Sequence, residues 1–102
     1  MLKPSLRTRY RYVMFEVTGE DLQPNEITKL TYSAIVRLVG TLGASEMDVK
    51  VESKDDKYFI RVNRESLDLL RGIIPLIERL GHYNARPKIV KTSGTVKTLF
   101  SD

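Results

Sequence analysis

Residues 7–17 open the chain's regular structure: Arg7-Thr8-Arg9-Tyr10-Arg11-Tyr12-Val13-Met14-Phe15-Glu16-Val17. Successive side chains of a strand point to opposite faces. Val13, Phe15 and Val17 therefore share one face, and Tyr10, Tyr12, Met14 and Glu16 the other. Aromatic and β-branched residues suit such a pleated surface. Both faces are largely apolar, which predicts a central strand rather than an edge. The start of the strand is cationic, with Arg7, Arg9 and Arg11 at every second position.

A change of period follows. Ile27, Leu30, Ala34, Ile35, Leu38, Val39 and Leu42 recur at steps of three and four, the stripe of an amphipathic helix. Pro24 suits its first turn, and Gly43 is the expected C-terminal cap. Met47-Asp48-Val49-Lys50-Val51-Glu52 then alternates apolar with charged, predicting a strand over 47–52. Lys54-Asp55-Asp56-Lys57 reads as a turn, and Tyr58-Phe59-Ile60-Arg61-Val62 as the returning strand. Tyr58, Ile60 and Val62 are expected in the core, with Lys57, Phe59 and Arg61 facing away.

Asn63 is a candidate cap for a second helix whose stripe is Leu67, Leu70, Ile74 and Ile77, flanked by Ile73 and Leu80. Pro75 predicts a kink near residues 71–74, and Gly81 the helix end. A last strand is expected from about Lys88 to Thr92. Ser93-Gly94-Thr95 then reads as a turn or bulge before Val96-Lys97-Thr98-Leu99-Phe100. The resulting order is βαββαβ, the split βαβ arrangement. It predicts a two-layer α/β (α+β) sandwich, ferredoxin-like, with an antiparallel sheet and both helices on one face. At 102 residues a single domain over 1–102 is expected.

Composition narrows the class. With no cysteine, disulfide scaffolds and thiolate metal sites are excluded. The apolar stretches are too short to cross a bilayer, and residues 1–4 do not open like a signal peptide, so a cytoplasmic protein is expected. The net charge is +4. Lys3, Arg7, Arg9 and Arg11 against Glu16 give residues 1–18 a net +3. Arg86, Lys88, Lys91 and Lys97 against Asp102 give residues 86–102 the same, leaving the middle slightly acidic. Cations concentrated at both ends fit a polyanion partner, although solubility alone accounts for such a balance almost as well.

Candidate chemistry is sparse. His82, the single histidine, follows Gly81 without an identifiable nucleophile or carboxylate partner. Glu20-Asp21 and Asp55-Asp56 lie in turns, where acids are common. No P-loop, GxGxxG, HExxH or EF-hand spacing occurs. The open sheet face is expected to show Tyr10, Tyr12, Met14, Lys57, Phe59 and Arg61. Rings among bases serve RNA-binding sheets of this topology, but residues 57–63 lack the glycine and aromatic spacing of an RNA-recognition motif. Packing of that face under another segment or subunit is the better expectation. Ser93, Gly94 and Thr95 between Lys91 and Lys97 could cradle a phosphate, or simply turn the strand.

Taken in order, these residues resemble the ribonuclease P protein component 2 family, the archaeal counterpart of the eukaryotic Pop-five subunit. The resemblance rests on Leu2-Lys3-Pro4-Ser5-Leu6-Arg7 leading into residues 9–17, on Ile60-Arg61-Val62-Asn63-Arg64-Glu65, and on Ser93-Gly94-Thr95-Val96-Lys97. It implies an RNA-binding subunit of archaeal-type ribonuclease P, the endoribonuclease that matures the 5′ end of precursor tRNA. Catalysis then belongs to the RNA subunit and its Mg²⁺, with no cofactor on this chain. The implied partners are ribonuclease P RNA, precursor tRNA indirectly, and the TIM-barrel-like protein component 3, with self-association in a heterotetramer. Arg7, Arg9, Arg11, Lys88, Lys91, Ser93, Thr95 and Lys97 are the candidate RNA contacts. A small ferredoxin-like regulatory or ligand-binding module is the alternative. An acylphosphatase-like hydrolase is disfavoured for want of an Arg–Asn pair in a phosphate loop.

The lack of convergent carboxylates or histidines predicts that the isolated chain cleaves no RNA, with or without Mg²⁺. Incubation of nuclease-free protein with precursor tRNA tests this, and cleavage that survives the purification controls would contradict it.

Overall fold

A computed structural model of the chain describes residues 9–95. Strand β1 (Tyr10–Gly19) leads into helix α1 (Pro24–Met47), then strands β2 (Lys50–Lys54) and β3 (Lys57–Asn63). A 3-10 turn (Arg64–Ser66) enters helix α2 (Leu67–Ile73), a second 3-10 turn (Ile74–Leu76) leaves it, and strand β4 (Ala85–Ser93) completes the sheet. The strand order is β2-β3-β1-β4, antiparallel throughout. β1 lies between two partners, as its two apolar faces require. Val13, Phe15, Ile60 and Val62 meet Ile27, Ile35, Met47, Leu70 and Ile74 in the main core. The order, the antiparallel sheet and the helix layer match the expected sandwich.

α1 departs from its expected end. Gly40 takes φ 81 and ψ 165, which breaks the helix and lets it resume in a new direction. Gly43 is therefore not the cap. The helix runs on to Met47, and Asp48, left-handed at φ 52 and ψ 45, donates its N–H to the carbonyls of Ala44 and Ser45. The kink carries Ala44 and Met47 into the core and leaves Leu42, expected in the apolar stripe, 74% exposed. Because Met47 stays helical, β2 begins at Lys50 instead of Met47.

The second helix is shorter than its stripe suggested. Asn63 does cap its entry, its Oδ1 accepting the Ser66 N–H at 3.0 Å. Pro75 acts as expected, converting the helix after Ile73 to a 3-10 turn. Helical structure stops at Leu76, however, not near Gly81. Ile77 is extended, and Ile77 and Leu80 reach the core from an irregular loop.

β4 begins at Ala85, not Lys88. Pro87 is tolerated because β4 is an edge strand with one side free of the ladder. The expected irregularity at Ser93-Gly94-Thr95 is displaced. The bulge falls at Val90, since Phe15 opposes Ile89 while Met14 opposes Lys91. The chain bends at Gly94 and Thr95, just beyond β4. The predicted strand over 96–100 lies outside the described residues.

Gly19 ends β1 at φ 110, where an added Cβ would stand 2.1 Å from the Asn84 carbonyl oxygen. That approach holds the β1 end against the loop before β4, and the Glu20 N–H donates to the same oxygen at 2.9 Å. Gly19→Ala is expected to lose about 2–4 kcal/mol, combining left-handed strain with overpacking. Urea unfolding of the two proteins measures it.

Candidate nucleic-acid interface

The bulge at Val90 decides which cations share a face. Residues directly opposite in an antiparallel ladder point the same way. Arg86 opposes Thr18 and Lys88 opposes Glu16, so both stand on the open face. Strict alternation from Ile89, which is on the core side, would send Lys91 toward the helices. The extra residue restores it to the open face opposite Met14, with Ser93 opposite Tyr12. Lys88, Lys91 and Ser93 of the expected set are thus brought to one surface.

The arginines of β1 are placed differently. Arg11 opposes Val62 on the helix side of the sheet. Its Nη1 donates to the Tyr10 carbonyl at 2.9 Å and lies 3.7 Å from where a Cβ on Gly94 would stand. Arg11 therefore adjoins the Ser93-Gly94-Thr95 bend, which closes as the Thr95 N–H donates to Ser93 Oγ at 3.2 Å. Arg9 is exposed, and its carbonyl accepts the Arg64 N–H at 2.8 Å. Arg64, exposed and absent from the expected set, joins the same end of the molecule. Arg7 and Lys97 lie outside the described residues. Arg86 was missed because the strand was expected to start later. With β4 begun at Ala85, Arg86 and Lys88 form an alternating cationic pair.

Arg61 is held tightly on the open face. Its guanidinium lies 4.3 Å from the centre of the Tyr10 ring and pairs with Asp48 Oδ1 at 3.2 Å. Tyr10 Oη donates to Asp48 Oδ2 at 2.7 Å. The left-handed cap that ends α1 thereby aims one carboxylate at both groups. Asp48 partly neutralises Arg61, which makes this arginine a scaffold more than a free phosphate ligand.

The aromatic side chains do not form an open stacking row. Phe59 is 4% exposed and Met14 8%. Tyr12 packs edge-on against Phe59, with ring centroids 6.1 Å apart, and one face of Tyr10 is occupied by Arg61.

Charge is segregated along β1. Arg9 and Arg11 stand at its start. At its far end a cleft of about 330 Å³ includes Glu16, Glu20, Asp21 and Asp56 with only Lys57 opposing. Glu20 accepts the Asn84 N–H at 2.6 Å, and Glu26 accepts Tyr83 Oη at 3.1 Å. On the open face Lys88 opposite Glu16 and Arg86 opposite Thr18 flank this cleft, so its carboxylates are bordered by the cations of β4. Among the described residues no group of three or more histidine and carboxylate side chains could hold a metal ion, and no helix is long and apolar enough to cross a membrane.

A family model described as the Rpp14/Pop5 family matches residues 11–101. A protein of Pyrococcus abyssi named Ribonuclease P protein component 2 is 31% identical, with the alignment covering 96% of this chain and 86% of the relative. Its namesake in Methanococcus vannielii is 32% identical over 94% of this chain and 75% of the relative. The Thermococcus gammatolerans protein of the same name is 28% identical over 96% and 85%. In the cryo-EM structure of yeast ribonuclease MRP, one chain shares the fold at a TM-score of 0.63 and 17% identity, covering 87% of this chain and 76% of that one.

The Asp48 hydrogen bond raises the Tyr10 phenol above its ordinary pKa, with burial and the Asp48 charge adding to it and Arg61 opposing. The neutral phenol is the form favoured by the fold. Its contribution is present below the ordinary tyrosine value and is lost as pH rises through the raised one. Asp48→Asn is expected to bring the Tyr10 titration back toward the ordinary value, read from the ring resonances by NMR. An unmoved titration would mean the contact is not maintained in solution.

Proposed function

Because the chain belongs to the Rpp14/Pop5 family, we propose that it is an RNA-binding protein subunit of archaeal-type ribonuclease P, supporting the catalytic RNA in 5′ maturation of precursor tRNA. The observation that carries this reading is the family match over residues 11–101, joined by relatives named Ribonuclease P protein component 2. The charge distribution supports it. Arg9, Arg11, Lys88 and Lys91, with Arg7 and Lys97 from the sequence, offset the repulsion between RNA phosphates brought close together. Ser93 and Thr95 add hydroxyl groups beside the Gly94 bend. The hydrolytic step and its Mg²⁺ belong to the RNA subunit in this reading, and the chain contributes binding and not bond cleavage.

The helix layer supports a protein partner as well. Leu38 is 44% exposed and Leu76 61%, on either side of a groove of about 350 Å³ floored by Ala34 and Ile77. Arg37 and Arg79 border it. Exposed apolar surface with a polar rim is characteristic of protein interfaces. Ribonuclease P protein component 3 is the assigned partner, with two copies of this chain in a heterotetramer.

With about four phosphate contacts, log K for ribonuclease P RNA against log salt is expected to slope at roughly −3 to −4. Neutralising Arg7, Arg9, Arg11, Lys88, Lys91 and Lys97 together flattens it, and an unchanged slope would place the RNA elsewhere. Sedimentation with component 3 reads the protein contact. Leu76→Asp is expected to weaken that complex by on the order of tenfold. A chain that fails to bind component 3 at micromolar concentration would remove the assembly from this reading.

A further inference from the structure

The open sheet face holds a second apolar cluster, separate from the core under the helices. Phe59 of β3 and Met14 of β1 stand opposite each other there. Among the described residues, Tyr12 is the apolar side chain packed against them. α1 and α2 lie on the other face, over Val13, Phe15, Ile60 and Val62. Yet Phe59 is 4% exposed and Met14 8%. Side chains stand out from the pleat, so neighbours within the sheet flank a ring without roofing it. The flanking residues of Phe59 are Lys57 and Arg61 along β3 and Glu52 across on β2. Arg61 is turned to Tyr10 and Asp48, and Glu52 to Lys50 at 3.2 Å. The burial is that of one chain by itself, so what covers the ring is intramolecular.

We propose that residues 96–100, Val96-Lys97-Thr98-Leu99-Phe100, cross the open face and seat their apolar side chains on the Met14–Phe59–Tyr12 cluster, closing this face to nucleotide bases. Position favours this segment. Ser93 opposes Tyr12 on the open face, so β4 ends at the margin of the cluster. The chain bends there at Gly94 and Thr95, and the Thr95 N–H donates to Ser93 Oγ at 3.2 Å. From Ser93, Phe59 is two strand spacings across and two residues along, about 12 Å. Five residues span up to ~17 Å, enough to reach it. Val96, Leu99 and Phe100 supply the apolar surface, with Lys97 among them. Residues 1–8 are worse placed. They join β1 at Arg9, whose carbonyl is held by the Arg64 N–H. Met14 lies five residues further along, about 17 Å away. Tyr10, with Arg61 on one face of its ring, stands between. A closed face leaves RNA to the cations at its margin, Lys88 and Lys91 among them, and phosphate contacts of that kind carry no sequence information. The cover forms within one chain and needs neither RNA nor component 3.

The full chain has no cysteine, so one introduced thiol takes one spin label. A nitroxide on Ser101→Cys is expected to erase the amide signals of Met14, Phe59 and Glu52 in NMR spectra, while those of Leu42 and Leu69 on the helices persist. The same label on Ser5→Cys is expected to spare Met14 and Phe59. In the full chain, Leu99→Ser/Phe100→Ser is expected to uncover the cluster. A short oligouridine then shifts the Tyr12 and Phe59 ring resonances, by stacking on them, and leaves them in place in the wild type. Circular dichroism confirms that each variant folds. Met14 and Phe59 signals that survive the Ser101 label, or that the Ser5 label erases, would overturn the choice of segment. Rings that stay unmoved in the double variant, or that shift in the wild type, would overturn the closure. The salt dependence of ribonuclease P RNA binding reads the subunit assignment separately, so the two can fail independently.

Discussion

β1 is hydrogen-bonded along both sides, and every other element takes its position from that strand. Its ladder to β3 sets Val13 against Ile60 and Arg11 against Val62, fixing the core layer over which the helices lie. Its ladder to β4 places the second cationic segment beside the first. A strand in this position needs apolar side chains on both faces over most of its length, and Tyr12, Val13, Met14, Phe15 and Val17 supply them. The tolerance for charge exists only at its ends. The arginines at one end and the carboxylates near the other therefore follow from the same constraint as the fold.

The topology was legible because period and position agreed. The two-sided strand, the clean alternation around Lys50 and the Pro75 break each have one good structural solution. The helix ends were less legible. Gly40 and Gly43 look alike in the sequence, and only the need to bring Ala44 and Met47 under the sheet makes Gly40 the break. Asp48 is easily taken for a strand residue, yet it is a left-handed cap whose carboxylate anchors Tyr10 and Arg61. The loop after Leu76 buries Ile77 and Leu80 without helical structure, which three-residue spacing cannot reveal.

The candidate site was legible as a list of cations and not as a surface. Arg9, Arg11, Lys88 and Lys91 carry the charge expected of them. Their division between the two sides of the sheet depends on a bulge and a strand start that composition does not encode. The rings of the open face illustrate the opposite error. Tyr12 and Phe59 share that face as expected, but Phe59 is buried and packed edge-on, so shared orientation did not become an open binding platform.

The extra residue in β4 bears on how related chains are compared. Val90 is exposed and takes no place in the β1 register, so the facing of its neighbours depends on neither its side chain nor its partner. Deleting it would let Ile89 run straight into Lys91 in plain alternation, keeping Lys91 and Ser93 on the open side and Thr92 on the helix side while closing the ladder. A single-residue gap at this point therefore preserves the surface, whereas an unbulged strand of the same length would turn Lys91 toward the helices. Relatives are better matched here by counting from the bulge than by maximising identity across it.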